Sequence, residues 1–160
     1  MAVITLGDGT GNYGASVSGY TQLAAGNTAN DTGTLDTFYI WLDTESGTTK
    51  IGTFYTSGSN KESRDYENLG TVASGSEQTF TGKNCDVVSG DYLGAYTTGK
   101  LEINTTGGSG RLYASGDKFA TSSSFTAAAN HKLAIYATGA TVAAGSLPLF
   151  HKPIKHMIIR

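Results

Sequence analysis

The stretch that most constrains the fold of this chain runs over residues 34–56. Phe38, Ile40 and Leu42 alternate there with Tyr, Trp and Asp residues, which is the period-two pattern of a β-strand with two different faces. A short polar break at residues 44–49 separates this run from a second run of the same type. The pattern therefore predicts two successive strands that form the central hairpin of a β-sandwich.

Glycine and the small hydroxyl residues extend this interpretation to most of the chain. The 160 residues include 22 glycines, and only 15% of residues are charged. No window keeps an apolar spacing of three and four over several turns, so the sequence predicts no long helix. We expect an all-β fold, an antiparallel and jelly-roll-like β-sandwich of roughly 8–11 strands over residues 1–140.

Residues 141–160 have a different character and are predicted to form a linker followed by an extended docking arm. Residues 1–145 carry eight Lys and Arg against thirteen Asp and Glu, a net charge of −5, whereas the remaining residues carry three basic and no acidic side chains. Pro148 and Pro153 prevent a continuous helix and favour an extended path. The predicted partner-binding residues are Leu147, Leu149, Phe150, Lys152, Ile154, Lys155, Met157, Ile158, Ile159 and Arg160.

Two interpretations of this C-terminal arm stay open. In the first, its seven apolar side chains bury against another subunit while its basic side chains meet an acidic surface. Full burial of such side chains contributes roughly 1.5–3 kcal/mol each, which is ample to order an extended segment. In the second, the arm folds back onto its own sandwich. Left in water, such a segment would promote aggregation.

Composition and spacing disfavour several function classes. The single cysteine, Cys85, excludes an internal disulfide and a cysteine-based zinc site, and the simplest expectation for it is burial as a small apolar residue. The spacing of the histidines does not indicate a metal site, so no metal or other cofactor is expected. The acidic body offers no basic face for nucleic acid, and no segment is long and apolar enough to insert into a membrane.

No catalytic signature is present, so a non-enzymatic protein is expected. The chain has no Gly-x-Ser-x-Gly elbow, and the glycines at residues 7–11 indicate a turn without the helix that a phosphate-binding loop requires. Sugar binding is an alternative, because an exposed aromatic ring can stack on a pyranose while a nearby Asp or Asn bonds its hydroxyl groups. The candidate glycan-binding residues are Tyr39, Trp41 and Tyr55.

Several motifs occur in an order that resembles a known group of proteins. They include Thr-Leu-Asp-Thr-Phe-Tyr-Ile-Trp at residues 34–41, Gly-Ser-Glu-Gln-Thr-Phe-Thr-Gly at 75–82, Ser-Gly-Asp-Tyr-Leu-Gly at 89–94 and Ile-Tyr-Ala-Thr-Gly at 135–139. The chain resembles a Gly/Thr/Ser-rich β-sandwich module of tailed-phage virion proteins. The likeness covers roughly residues 1–140 and leaves out the C-terminal arm.

The resemblance implies a structural protein of a virion, most readily a capsid decoration or minor head protein that docks through its arm. Its partners would be other copies of itself, a capsid protein or a tail protein, with no nucleic acid and no membrane. The amino terminus has no basic region followed by a long apolar region, so we expect synthesis in the host cytoplasm without a secretory signal. The alternatives are a glycan-binding module of a fibre and a filament subunit joined by exchange of arms.

Overall fold

The structure is a computed structural model that describes residues 1–143 of the chain. Within that part it contains strands and no helix, as the sequence predicts. The strands are β1 (Val3–Gly9), β2 (Ala15–Val17), β3 (Tyr20–Ala24), β4 (Gly33–Thr44), β5 (Thr49–Ser57), β6 (Asn60–Asn68), β7 (Glu77–Phe80), β8 (Cys85–Val87), β9 (Tyr92–Thr97), β10 (Lys100–Asn104), β11 (Arg111–Ser115), β12 (Thr126–Ala128), β13 (Lys132–Leu133) and β14 (Ile135–Thr141).

Two sheets pack against each other as an antiparallel β-sandwich, which confirms the predicted fold class. The first sheet has eight strands in the order β1-β14-β4-β10-β13, with β2 paired to β10 and with β7 and β8 paired to β4. The second sheet has six strands in the order β12-β11-β3-β9-β5-β6. Every pairing between these strands is antiparallel.

The core lies between the two sheets and is filled by alternate residues of the strands. Phe38, Ile40 and Leu42 of β4 are fully buried, as their alternation predicts, and they belong to the same apolar cluster as Ile51 and Leu93 from the opposite sheet. This burial of one face on each sheet is what holds the layers together, since each such side chain contributes roughly 1.5–3 kcal/mol.

The predicted hairpin of residues 34–56 is wrong. β4 and β5 are successive strands, but they lie in different sheets. Both edges of β4 are already occupied, because Phe38 pairs with Ala137 of β14 on one side and with Phe80 of β7 on the other. The chain therefore crosses to the second sheet through residues 45–48. The Ser46 hydroxyl in this crossing is buried and lies 2.5 Å from the buried hydroxyl of Thr49, the first residue of β5.

A second crossing lies next to the first. A two-residue connection at residues 98–99 leads from β9 in the six-stranded sheet to β10 in the eight-stranded sheet. The Thr98 hydroxyl accepts hydrogen bonds from the backbone N–H groups of Gly47 and Thr48, at 3.2 and 3.1 Å, so the two crossings support each other. Local alternation cannot reveal such crossings, because a strand shows the same pattern whichever sheet receives it.

The described part contains 14 strands rather than the predicted roughly 8–11, and several of them are short. Ala134, for example, separates β13 from β14. Its N–H donates to Glu102 of β10 and its carbonyl oxygen accepts from Trp41 of β4, both at 3.0 Å. Pairing thus switches from β10 to β4 at this residue, and four of the strands, β2, β8, β12 and β13, have only two or three residues.

Candidate functional site

The three residues that the sequence nominates for glycan binding do not lie together. Tyr39 and Trp41 are two residues apart on β4 and so share one face of the eight-stranded sheet, whereas Tyr55 is on β5 in the other sheet. The Tyr55 hydroxyl donates to Glu62 at 2.7 Å, and the Arg64 guanidinium lies 4.8 Å from the centre of its ring. Tyr55 therefore belongs to a separate polar contact on its own sheet.

The outer face of the eight-stranded sheet carries an aromatic pair. Because the neighbours of Tyr39 and Trp41 along β4 point into the core, these two side chains lie on the opposite face and are half-buried. The Tyr39 ring lies 5.8 Å from that of Tyr136 on β14, with a 40° angle between the planes. Trp41 pairs across the sheet with Glu77, whose carboxylate accepts a hydrogen bond from the Thr10 hydroxyl.

Tyr136 also lines a polar pocket of about 430 Å³ beside this pair. The other walls are residues 5–9 of β1 and residues 26–28 and 30 of the loop that precedes β4. Ligand-binding pockets commonly have volumes of about 300–1,000 Å³, so the cavity can hold a small molecule. We call this cavity the β1 pocket.

The loop that forms one wall of the β1 pocket is tied to the free edge of β1. The Asn30 side chain accepts from the Thr5 N–H at 2.8 Å and donates to the Val3 carbonyl at 3.1 Å, as a neighbouring strand would. The Gly7 N–H donates to the Asn27 carbonyl at 2.9 Å. These bonds satisfy backbone groups of an edge strand, which reduces pairing with other chains, and they hold the wall of the pocket in place.

Asp8 is the acidic group of the β1 pocket and sits where the pairing of β1 with β14 shifts register. Its carboxylate accepts from the Asn27 side-chain amide and from the Leu133 backbone N–H, each at 2.9 Å. Burial disfavours the charged form and raises the pKa of Asp8, against the opposing effects of these two hydrogen bonds and of the Lys132 charge. The carboxylate is thus held in one orientation within a partly desolvated site.

The β1 pocket can form several hydrogen bonds with a polar neutral ligand. The Asp8 oxygens keep unused lone pairs, the Asn27 amide keeps a second N–H, and the Thr28 hydroxyl can donate or accept. Tyr136 adds an apolar ring face at the side of the pocket. Directed polar groups beside one aromatic surface are suited to a ligand with hydroxyl groups on its edge and C–H groups on its faces.

Sequence reasoning missed Asp8, Asn27, Asn30 and Tyr136 as site residues. The sequence predicts only a turn at residues 7–11, and its alternation and motifs assign no role to the segment that precedes β4. Both segments are rich in Gly, Asn and Asp, and this shared composition is the one signal that could have marked them. Their proximity depends on tertiary structure, since residues 5–9 and 26–30 are separated by β2 and β3.

Other candidate groups are placed as follows. Cys85 is buried, as expected, and desolvation raises its pKa to about 12, so its thiol stays protonated at neutral pH.

Among residues 1–143, no group of three or more His, Cys, Asp and Glu side chains could hold a metal ion. In the same part of the chain, no helix could span a membrane. The ten predicted partner-binding residues of the arm, from Leu147 to Arg160, lie outside the described residues.

Comparisons with protein-family models, with curated proteins and with solved structures found no match.

Proposed function

We propose that the sandwich is a non-enzymatic carbohydrate-binding module and that the β1 pocket is its binding site. The observation that carries this proposal is the pocket of about 430 Å³ that combines the Asp8 carboxylate, the Asn27 amide and the Tyr136 ring. A sugar offers hydroxyl groups that can bond the carboxylate and the amide together, and an apolar ring face that can lie against the tyrosine.

The same geometry favours binding over hydrolysis. A glycosidase acts with two carboxyl groups on either side of the scissile bond, about 5–10 Å apart. Among the described residues that line the β1 pocket, Asp8 is the single acidic side chain. Both of its oxygens already accept hydrogen bonds from the protein, an arrangement that orients a carboxylate for recognition.

A glycan array followed by titration of the best ligand tests this proposal. We expect Asp8→Asn and Tyr136→Ala each to weaken binding at least about tenfold, because each removes a directed contact worth roughly 1–3 kcal/mol. Asp36→Asn is the matched control, since among residues 1–143 the carboxylate of this exposed acid accepts a hydrogen bond only from its neighbour Thr37. Circular dichroism verifies that each variant is folded.

A further variant separates the β1 pocket from the aromatic residues predicted by sequence. Trp41 does not line the pocket, so Trp41→Ala should leave the affinity unchanged. Loss of binding in Trp41→Ala with retention in Asp8→Asn would move the site to the face of β4. Absence of binding to every glycan on the array would remove the proposal.

A structural role in a virion is the second candidate, and the composition of residues 144–160 favours it. That segment holds the seven apolar and three basic side chains predicted to dock on another copy of the chain, a capsid protein or a tail protein. Before it, the Thr141 N–H donates to the Ala2 carbonyl at 3.1 Å, so the last described strand ends beside the amino terminus on the edge strand β1. In this role the protein would be a capsid decoration or minor head protein, or a filament subunit.

Light scattering of the full chain and of a truncation at residue 143 tests this second role. We expect the full chain to associate with itself or with purified capsids, and the truncated chain to remain a folded monomer. Equal association of both proteins would assign the contact to the sandwich, and no association of either protein with itself or with capsids would remove the docking role of the arm.

A further inference from the structure

Arg111 on β11 has an unusual set of neighbours. Its Nε donates to Nδ1 of His131 at 2.9 Å, and its Nη1 donates to Oε1 of Gln22 at 2.6 Å. The guanidinium carbon lies 4.6 Å from the centre of the Tyr113 ring. All three neighbours are neutral when His131 is deprotonated. Within residues 1–143 the cation is therefore held by hydrogen bonds and a ring face but by no opposite charge.

The lack of a counter-charge is a cost at this position. The described residues form three ion pairs, Lys50 with Asp117, Arg64 with Asp91 and Lys83 with Glu67, and Arg111 takes part in none of them. Burial lowers the pKa of Arg111, which means that its charged form is less well solvated than in water. A cation that is partly removed from water is ordinarily paired with an anion.

Gln22 shows that the interior beside Arg111 has too few hydrogen-bond acceptors. Its side chain is buried, with 1% of the residue exposed, and its Nε2 has no hydrogen-bond partner. The amide cannot turn over to correct this, because a guanidinium only donates hydrogen bonds and so requires the Gln22 oxygen to face it. Arg111 and Gln22 together therefore present more N–H donors than the protein supplies acceptors for.

We propose that Arg111 is the binding group for a small carboxylate-bearing ligand. Two of its five N–H groups are used by His131 and Gln22, which leaves one on Nη1 and both on Nη2. Neighbouring Nη1 and Nη2 donors match the two oxygens of a carboxylate, a group that only accepts hydrogen bonds when it is ionised. The ligand would supply the missing negative charge and acceptors for the free N–H groups of Arg111.

Elsewhere in the chain, an arginine over a tyrosine ring does bind a carboxylate. Arg64 also lies over a tyrosine ring, and its Nε and Nη2 bond the two oxygens of Asp91 at 2.6 and 3.0 Å. At Arg111 no side chain of the described part of the chain takes the place of that carboxylate. The Tyr113 ring makes an edge-to-face contact with the Tyr20 ring, with 5.8 Å between their centres. Tyr20 is 38% exposed, so the body of the ligand would contact an accessible aromatic surface.

This site is independent of the β1 pocket, with which it shares no lining residue. A sugar bound in the pocket and a carboxylate bound at Arg111 would be separate events. Failure of one proposal therefore does not remove the other.

Nuclear magnetic resonance of the arginine side chains tests the proposal on the full chain. The ¹⁵Nε signal of Arg111 is followed while acetate, D-glucuronate, inorganic phosphate or D-glucose is added at constant ionic strength and pH 7.5. We expect saturable shifts with acetate and D-glucuronate and half-saturation at about 1–10 mM, as for one charge-assisted bidentate contact, and no shift with D-glucose. The Arg64 signal serves as an internal control, because its carboxylate is already in place.

Two variants make the test specific. Gln22→Glu places a carboxylate beside Arg111 and should abolish the saturable shift while Arg111 remains present. Lys100→Gln removes one exposed positive charge elsewhere on the surface and should leave the shift unchanged. For Arg111→Gln, binding measured by the saturable shift of the Tyr20 and Tyr113 ring signals should be weakened at least about tenfold.

Three results would overturn the proposal. They are the absence of a saturable Arg111 shift in the parent protein, an equal shift at Arg64 and Arg111, and persistence of the Arg111 shift in Gln22→Glu. A shift with phosphate that saturates at lower concentration than with either carboxylate would overturn the assignment of the ligand class.

Discussion

Arg64 and Arg111 make a natural comparison, because each lies on the six-stranded sheet with its guanidinium over a tyrosine ring, at 4.8 and 4.6 Å. Arg64 meets the buried carboxylate of Asp91, and the hydrogen bond to that carboxylate raises the pKa of Arg64. Arg111 meets Gln22 and a histidine, and burial lowers its pKa. Both guanidinium groups thus lie over a tyrosine ring, but Arg64 is neutralised by a carboxylate, whereas the hydrogen-bond partners of Arg111 are an amide and a histidine.

The difference teaches that the neighbours of an arginine, rather than its position on a strand, decide its role. Asp91 also accepts from the Val88 N–H at 2.9 Å, and its backbone carbonyl accepts from the Ala29 N–H at 2.8 Å. The Arg64 pair therefore fastens the loop that forms a wall of the β1 pocket, and its role is structural. Among the residues that the structure describes, Arg111 has no such carboxylate to hold in place.

The largest expected effect comes from Arg64→Gln. This change leaves the Asp91 carboxylate, whose side chain is only 3% exposed, without its cation. Because breaking a buried pair strands a charge, we expect the free energy of unfolding to fall by about 3 kcal/mol in urea titrations. Arg111→Gln, the matched variant, should change it by less than about 1 kcal/mol. Equal losses of stability would contradict the structural role of Arg64 and the lack of such a role for Arg111.

Asp91→Asn converts the Arg64 environment into one that resembles the Arg111 environment. The amide keeps one oxygen for the guanidinium but loses the charge and one acceptor. We expect a loss of about 2 kcal/mol, as for the removal of a charge-assisted hydrogen bond. Urea titration of the single variant and of the double variant with Arg64→Gln measures the coupling. If the two losses simply add, the pair does not act as a unit.

The two tyrosines beneath the arginines offer a finer comparison. Tyr55 donates its hydroxyl to Glu62 at 2.7 Å, so Tyr55→Phe should slightly lower the free energy of unfolding. The same hydrogen bond raises the pKa of Tyr55. Tyr113→Phe keeps the ring under Arg111 and should have a smaller effect. A larger loss for Tyr113→Phe in thermal unfolding would contradict this order.

The smallest expected effect is a dependence of the free energy of unfolding on pH, caused by His131 beside Arg111. Burial and the Arg111 charge lower the pKa of His131 below its ordinary value of 6.5. The unfolded chain then binds more protons than the folded chain as pH falls below 6.5, so stability is lost in that range. Protonation also removes the Nδ1 acceptor for Arg111. His131→Gln should flatten the urea-unfolding profile between pH 7.5 and 5.5, and an unchanged slope would contradict this account.

The sequence supports part of the fold and little of the candidate site. Alternation in residues 38–42 correctly predicts which side chains of β4 are buried. The hairpin prediction was wrong because alternation reports burial of one face and not the identity of the neighbouring strand. Tyr55 was grouped with Tyr39 for the same reason.

What the sequence determined by itself is the β class, the buried faces of the strands and the contrast between an acidic body and an apolar, basic C-terminal segment. These properties depend on the order of residue types along the chain. Only the tertiary structure decided that residues 5–9 and 26–30 enclose one pocket, and that Arg64 meets a carboxylate while Arg111 meets an amide. Those contacts join residues as far apart as Gln22 and Arg111, and pairings over such distances are set by packing of the two sheets rather than by local preference.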